Sequence, residues 1–570
     1  MTELLTAAQM RAIEAAAIAS GEVTGQELME RAGRGVVDAV FDEWPELQAG
    51  SFRAVVLCGP GNNGGDGFVV ARLLKEWGWE VEALLFGDAE RLPPDARENY
   101  ERWVRVGGTL ADMQEFGGRY RRTIVKDASF ERNVRAQWTP PPRTTDLVID
   151  AIFGIGLTRP MSVEMMHCLV DAAVGLSPDG KKVCIDLPSA ICADSGRFIY
   201  NYGTNVPEVP YYFAQPADLC VTFHCMKLGH VLAEGAAYMR RLKVVDIGLH
   251  TPKNWQYFTP FRRNPVTEVS PLEAKDGVSR QLGKGSDGHK FSHGHALILS
   301  GPTGHGGAAR MTARGALRIG AGLVTLACPP DALAENAARL DAIMLKVVAD
   351  AAGLAGVLAD ARINALCVGP GLGLDARAAD LVRVALETSR GEPRPTVGRG
   401  SPRLSLVLDA DALTLISRDP TLFALLHTTC VLTPHAGEFA RLFPDIAAKL
   451  DAPATKGPAY SKVDATREAA ARAGCVVLYK GADTVIASPD GRCSINAAVY
   501  DRAAPWLATA GSGDVLAGFI CGLLARGFAP MRAAEAAAWL HVECARSFGP
   551  GLIAEDLPEE LPKVLRALGL

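Results

Sequence analysis

Two kinds of apolar pattern alternate along this chain. Short unbroken runs such as Ala54-Val-Val-Leu-Cys58 read as strands buried on both faces, and longer stretches with apolar residues three or four apart read as amphipathic helices. The spacing predicts helices over Leu5–Ala19, capped by Thr6, and over Gly25–Val40. Strands are expected at Ala54–Cys58, Glu80–Phe86, Leu147–Ile149, Val183–Ile185, Leu219–Phe223 and Val244–Asp246, with a helix ending near Trp77. The second half repeats the alternation, with strands at His295–Ser300, Leu323–Ala327, Ala365–Val368, Leu404–Leu408, Thr429–Leu432, Val476–Tyr479 and Thr484–Ala487. Strand alternating with helix predicts an α/β protein with doubly wound parallel sheets.

The pattern breaks from Thr251 to about Gly288, where Pro252, Pro260, Pro265 and Pro271 interrupt it. The expected division is therefore residues 1–250, a linker at 251–282, and residues 283–570; a chain of 570 residues exceeds one core in any case. Arg390–Arg403 reads as an inserted loop, and Pro444–Ser461 as a second loose segment. The net charge of −5 and the absence of a basic run argue against nucleic acid as a partner. No apolar run reaches membrane-spanning length, and Met1-Thr-Glu-Leu-Leu5 lacks the features of a secretion signal, so a cytoplasmic enzyme is expected. Thirteen cysteines without framework spacing fit reduced, buried thiols. Cys220 and Cys225 read as opposite faces of one strand rather than metal ligands, and His289, His293 and His295 as local polar contacts.

Candidate chemistry concentrates in glycine-rich loops after strands. Gly59-Pro-Gly-Asn-Asn-Gly64 matches a dinucleotide fingerprint in form, but Asn62, Asn63 and Asp66 spoil it. Side-chain oxygens on a tight turn suit a hydrated polar ligand or a monovalent cation better; a plain polar turn is the alternative. Asp150 and Asp186 each end an apolar strand, and isolated buried acids have a partner or a task. With Asp150-Ala-Ile-Phe-Gly-Ile-Gly-Leu-Thr-Arg-Pro160, Asp186-Leu-Pro-Ser189 and Lys227-Leu-Gly229, these loops should gather at the carboxyl ends of the strands.

Over about residues 1–250 these motifs resemble the NAD(P)H-hydrate epimerase domain, the YjeF N-terminal family, in order and spacing. The resemblance implies that Asn62, Asn63, Gly64, Gly65, Asp66, Gly154, Ile155, Gly156, Leu157, Thr158, Arg159, Pro160 and Asp186 contact a hydrated nicotinamide nucleotide. It also implies that Asn63, Asp150 and Ser189 hold K+, and that Asp186 is catalytic and moves protons at the reacting carbon. Two departures stand out: Ala190 where the family has glycine after Asp-x-Pro-Ser, expected to shift backbone near the ion, and Arg31 where asparagine is usual, expected to change only a helix face.

In the second half, Leu507-Ala-Thr-Ala-Gly-Ser-Gly-Asp-Val-Leu-Ala-Gly518 sets a carboxylate, Asp514, among small residues at a helix start. Free N–H groups there make an anion site, and an acid among them handles a proton or a metal. Lys480-Gly-Ala-Asp-Thr484 offers an amine, N–H groups and a hydroxyl to a phosphate, while His435 and Glu438 follow an apolar strand. From about residue 283 these loops, with Gly306-Gly-Ala-Ala309, Val368-Gly-Pro-Gly-Leu-Gly373 and Asp409-Ala-Asp-Ala-Leu413, resemble the ADP-dependent NAD(P)H-hydrate dehydratases, a ribokinase-like fold. The likeness implies substrate contacts at Ala308, Gly371, Gly373, His435, Glu438 and the catalytic base Asp514. It implies ADP contacts at Lys480, Gly481, Ala482, Asp483, Thr484, Thr509, Ala510, Gly511, Ser512 and Gly513. Arg502 stands where an asparagine is expected before Pro505, which should weaken one ADP contact.

Together the resemblances imply a bifunctional cofactor-repair enzyme acting on NADHX and NADPHX, with ADP as co-substrate, K+ in the first domain and Mg2+ in the second, assembled as a homo-oligomer. The alternatives are a small-molecule kinase joined to an NAD-binding oxidoreductase-like domain, and a chain in which one half is an inert nucleotide sensor.

Overall fold

The computed structural model describes residues 3–111, 116, 144–200, 216–249, 265–269, 281–284, 289–391 and 403–570. Two compact units emerge, one comprising Leu4–Arg263 with Pro453–Ser461, the other Met1–Glu3, Asn264–Ala452 and Lys462–Leu570. The strands, in chain order, are β1 (Glu3–Leu4), β2 (Arg53–Cys58), β3 (Glu80–Leu85), β4 (Thr145–Ala151), β5 (Leu176–Ile185), β6 (Leu219–Phe223), β7 (Leu242–Val245), β8 (Val266–Glu268), β9 (His295–Leu299), β10 (Leu323–Cys328), β11 (Met344–Val347), β12 (Ile363–Val368), β13 (Ser405–Leu408), β14 (Cys430–Leu432), β15 (Val476–Tyr479), β16 (Asp483–Ala487) and β17 (Cys493–Ala497).

In the first unit six strands form a parallel sheet in the order β3-β2-β4-β5-β6-β7. Strand order reverses between β2 and β4, the place where doubly wound sheets open a crevice. Near-continuous apolar strands are explained by helices on both faces: Gly25–Glu43 and Asn62–Glu76 bury Val36, Val40, Phe68 and Val69 on one side, and Val163–Val174 buries Leu169 on the other. Thr6 caps the helix Ala7–Ala19 through a full capping box with Gln9.

The second unit's sheet has eleven strands in the order β1-β8-β17-β16-β15-β14-β13-β12-β9-β10-β11. From β15 to β11 the strands are parallel, and β16 and β17 add an antiparallel hairpin. The order reverses between β12 and β9, again marking a crevice. Beyond its first turn the helix Ser512–Ala525 is apolar from Val515 to Ala525 and is buried beside Gly306–Arg318 and Pro530–Phe548, which accounts for its lack of a polar face there.

Three sequence expectations need correction. Of the linker set at 251–282, most lies outside the described residues, but Val266–Glu268 is a strand paired with β17, and the carbonyls of Gln281 and Leu282 accept from Arg526. Its prolines obscured a three-residue strand too short for a period. Pro444–Ser461 is not loose: Pro444 starts a helix, Pro444–Asp451, where its missing N–H costs nothing, and the rest packs in the first unit. Cys225 lies past the end of β6, so strand alternation does not relate it to Cys220. His289 caps a short turn, and His295 pairs with Thr325, as local contacts. Most of Arg390–Arg403 lies outside the described residues. No described helix is long and apolar enough to cross a membrane.

Candidate active sites

In the first unit the helix Asn62–Glu76 begins earlier than its sequence suggests, so Asn62 and Asn63 are its first two residues and Gly64–Asp66 continue its first turns. Gly61 caps it without a side-chain bond, which leaves the leading N–H groups available to a ligand. Gly59 must be glycine: a Cβ there would fall 1.8 Å from the Ile152 carbonyl oxygen, because the loops after β2 and β4 cross at that point.

Asp186 sits just past β5 at φ 67°, turned into the crevice. Thr222 Oγ1 and Lys227 Nζ each donate to its Oδ1 at 2.8 Å, and the Ile155 N–H donates to Oδ2 at 3.1 Å. Lys227 is 1% exposed and spends its other protons on Thr222 Oγ1 and the Phe223 carbonyl. Burial alone would raise the Asp186 carboxyl, but the Lys227 charge and these bonds hold it below the usual range. His230 takes the Lys227 N–H at Nδ1 and donates from Nε2 to the Asp186 carbonyl at 2.6 Å; burial, then the Lys227 charge, pushes it down to about 4. Lys227 was visible in sequence only as the head of a segment after a strand and His230 was not singled out, and nothing there announced an ion pair across 41 residues.

Two further acids feel Asp186. Removal from water, then the Asp186 charge, lifts Glu14 to about 7 and Asp66 well above the carboxylate range. Glu14 lies one turn beyond Arg11, whose guanidinium donates to the Ile155 carbonyl. Gly154 lies between the Asn63 and Asp186 side chains: a Cβ on it would be 2.8 Å from Asn63 Oδ1 and 2.9 Å from Asp186 Oδ2.

Asp150 is fully buried and accepts from Ser189 twice, from Oγ at 2.6 Å and from N–H at 3.0 Å. Burial nonetheless raises its carboxyl. Asn63 Nδ2 is buried without a partner, so this amide has unmet polar capacity. Asn63, Asp150 and Ser189 supply amide, carboxylate and hydroxyl oxygens with one formal charge, a chemistry that fits a large monovalent cation. Ala190 takes φ 82°, a left-handed conformation suited to glycine, so the departure from the family pattern is a strained residue next to Ser189. Arg31 does more than alter a helix face, since it donates to the Ile247 carbonyl at 3.0 Å.

In the second unit Asp514 is the third residue of the helix Ser512–Ala525, whose cap, Gly511, is left-handed at φ 89° and lends no side chain. The Ser512 N–H reaches only Thr509 O at 3.4 Å, so the first turn presents N–H groups outward. His541 Nε2 lies 2.8 Å from the Ser512 carbonyl, and burial pushes this histidine down to about 4, so it is the neutral ring that donates. Thr312 Oγ1 contacts both the Ala308 and Asp514 carbonyls, and a Cβ on Gly371 would lie 3.5 Å from that of Ala308, which brings Ala308, Gly371 and Asp514 together. The Gly373 N–H donates to Asp411, fixing the adjacent loop.

Lys480 Nζ is 2.9 Å from Asp409 Oδ1 and 3.8 Å from Glu438 Oε2. Burial pulls the amine down, but Asp409 and Glu438 outweigh it and the amine stays charged above its usual value. Asp514 is pushed up to about 7 by burial first and the Asp409 charge next, with Lys480 opposing. Glu438 Oε2 accepts the His435 N–H, and His435 Nδ1 accepts the Gly437 N–H, a capping box for Ala436–Leu442 that leaves the histidine 56% exposed. The Thr484 hydroxyl closes the Gly481–Thr484 turn, and Lys462, not singled out from the sequence, donates to Asp483 at 2.6 Å. Arg502 is tied to Glu543 and to the Ala497 carbonyl. Among the described residues no group of three His, Cys, Asp or Glu could hold a metal.

A family model described as NAD(P)H-hydrate dehydratase matches residues 296–565, and one described as YjeF-related protein N-terminus matches residues 25–229. The bifunctional NAD(P)H-hydrate repair enzyme of Moorella thermoacetica is 34% identical over 581 residues, covering 99% of this chain and 97% of the relative. The NAD(P)H-hydrate epimerase of Roseobacter litoralis is 41% identical over 250 residues, 44% of this chain and 100% of the relative. The ADP/ATP-dependent NAD(P)H-hydrate dehydratase of Bacillus subtilis, co-crystallised with ATP and Mg2+, is 26% identical, covers 53% of this chain and 99% of that one, and superposes with a TM-score of 0.41.

Proposed function

The chain belongs to the bifunctional NAD(P)H-hydrate repair enzymes, and from that premise we propose how its residues divide the work. The enzyme interconverts the R and S hydrates of the reduced nicotinamide cofactor and dehydrates the S form at the expense of ADP. The kinase–oxidoreductase alternative is not favoured, since the relatives match both halves in one chain.

In the first unit we assign epimerisation of NADHX and NADPHX to the crevice around Asp186. An acid that accepts three bonds and stays ionised is better suited to stabilising positive charge on the nicotinamide ring as the hydroxyl departs than to moving protons itself. Glu14, lifted to about 7, or Asp66, raised by burial and the Asp186 charge, is the better proton carrier. Asn63, Asp150 and Ser189 would hold K+, which supplies charge compensation for the buried Asp150.

The observation that carries the second assignment is Asp514 at about 7, on an uncapped helix start, facing Lys480. Asp514 takes the proton of the hydrate hydroxyl as its oxygen attacks the terminal phosphorus of ADP, giving a phosphate ester and AMP. Backbone N–H groups of Ala510–Gly513 meet the charge on the transferring phosphoryl group. Loss of inorganic phosphate with a ring proton then restores the double bond. Lys480–Thr484 and Thr509–Gly513 are assigned to ADP, and Ala308, Gly371, Gly373, His435 and Glu438 to the hydrate. Mg2+ would accompany the diphosphate beside Asp514. A cytoplasmic homo-oligomer completes the proposal.

The test is turnover of an equal mixture of both hydrates with and without ADP. Complete recovery of reduced cofactor with ADP and none without it is expected; recovery stalling at half with ADP would remove the epimerase, and recovery without ADP would remove the dehydratase mechanism.

A further inference from the structure

We infer that Pro453–Ser461 is a positioning strap for the epimerase loop Gly154–Pro160; this rests on the epimerase reading above. The segment is flanked in the chain by helices of the second unit, Pro444–Asp451 and Lys462–Ala473, yet belongs to the first. The Gly457 N–H donates to the Thr158 carbonyl at 3.1 Å, and the Tyr200 N–H donates to the Ala454 carbonyl at 2.9 Å. Arg197 reaches the Tyr460 carbonyl at 3.3 Å, and the Ala459 N–H points to Cys192 Sγ at 3.4 Å. Ala454 and Ala459 close a small apolar cluster with Leu157, Cys192 and Ile199.

The contact at Gly457 is backbone on backbone. A Cβ there would lie 2.5 Å from the Leu157 carbonyl oxygen and 2.8 Å from Ile199 Cδ1, so only glycine lets the strap lie flat on the loop. The loop is thereby held at two points. Near its start, Ile155 is fixed by Asp186 and Arg11; in its middle, Leu157 and Thr158 are fixed by the strap. Between these points stands only Gly156, with open space around it.

A loop with glycines at 154 and 156 samples many conformers when released. The fraction ready for substrate then falls, and the apparent affinity falls with it while the chemistry of bound substrate is unchanged.

The experiment uses the full-length chain, the purified R hydrate of NADH and no ADP, with the epimers separated by chromatography. Two variants are compared with wild type: Gly457→Val, and a chain with residues 454–460 replaced by a glycine–serine segment of equal length. The expected result is an epimerase KM raised about tenfold with kcat within about twofold, while dehydration of the S hydrate with ADP stays within about twofold. An unchanged epimerase KM in both variants overturns the strap. So does an equal loss of both activities with a lowered melting temperature, because the segment would then serve folding alone. A wild-type chain that does not interconvert the epimers overturns the epimerase reading itself, and the strap with it.

Discussion

With Asp514 at about 7 as the proposed base, the dehydratase should be pH-sensitive in a range where an ordinary carboxylate would not titrate. The base is competent only when ionised. At pH 6 about one-tenth of the free enzyme carries it, and at pH 8 about nine-tenths, so kcat/KM for the S hydrate at saturating ADP should fall roughly tenfold between these values. Below pH 6 the slope should be about one decade per unit. The neighbours set the position of this limb. Asp409→Asn removes a negative charge that raises Asp514 and should move the limb to lower pH; Lys480→Met removes the opposing positive charge and should move it higher. Stability supplies a second readout. The folded state holds a proton on Asp514 between pH 4 and 7 that the unfolded chain has already released, so this group makes stability fall as pH rises through that window, by at most about 1.4 kcal/mol per unit. Asp514→Asn should therefore lose ADP-dependent turnover, keep ADP affinity by calorimetry, and melt higher than wild type at pH 8. A kcat/KM profile flat from pH 5.5 to 8, or turnover at the wild-type rate in the asparagine variant, would refute the assignment.

Lys227→Met leaves Asp186 buried and unpaired, so a stability loss of about 3–5 kcal/mol by denaturant titration is expected; a loss below 1 kcal/mol would show that the pair matters little. Ala190→Gly releases about 1–2 kcal/mol of left-handed strain against about 0.8 kcal/mol for one buried methyl, so stability should hold or rise slightly; a drop beyond 1 kcal/mol would contradict the strain argument. Crystals soaked in a heavier alkali ion should show an anomalous peak among Asn63, Asp150 and Ser189, and a peak there that survives Asp150→Ala would remove the carboxylate from the ion's ligands.

The strands were legible because parallel sheets covered on both faces leave continuous apolar runs, and Val476–Tyr479 and Leu219–Phe223 fall where the pattern puts them. Short or exposed strands were not: Met344–Val347 sits at a sheet edge with exposed apolar residues, and Val266–Glu268 is three residues among prolines. Individual acids and glycine loops were also legible, since few residue types serve those tasks. Their partners were not. Lys227 and Asp186 meet through a buried contact no local pattern encodes, and the capping role of His435 and Glu438 competes with the ligand role that the same spacing suggests. The excursion of Pro453–Ser461 into the first unit has no sequence signal, because a run of prolines and small residues reads alike whether it is free or pinned.

Each crevice holds a carboxylate, Asp186 just past β5 and Asp514 in the first turn of the helix Ser512–Ala525, and the two are tuned in opposite directions. Asp186 is paired with a lysine whose every proton is committed, so its charge is permanent and its two oxygens are occupied. Asp514 shares its lysine with Asp409 and Glu438, and the lysine's shortest contact is to Asp409, so the net field on Asp514 is that of its acidic neighbours. Departure of hydroxide from a ring that becomes cationic calls for fixed negative charge, whereas attack by a hydroxyl on a phosphoryl group calls for a base that takes up a proton near neutrality. The difference predicts how each site responds to loss of its lysine. Lys227→Met should raise the Asp186 carboxyl and add an acidic limb to an epimerase profile otherwise free of one from that residue, while Lys480→Met should displace a limb that already exists. Epimerase and dehydratase profiles measured on the same two variants separate these outcomes, and matching shifts in both would show that the two lysines do the same job.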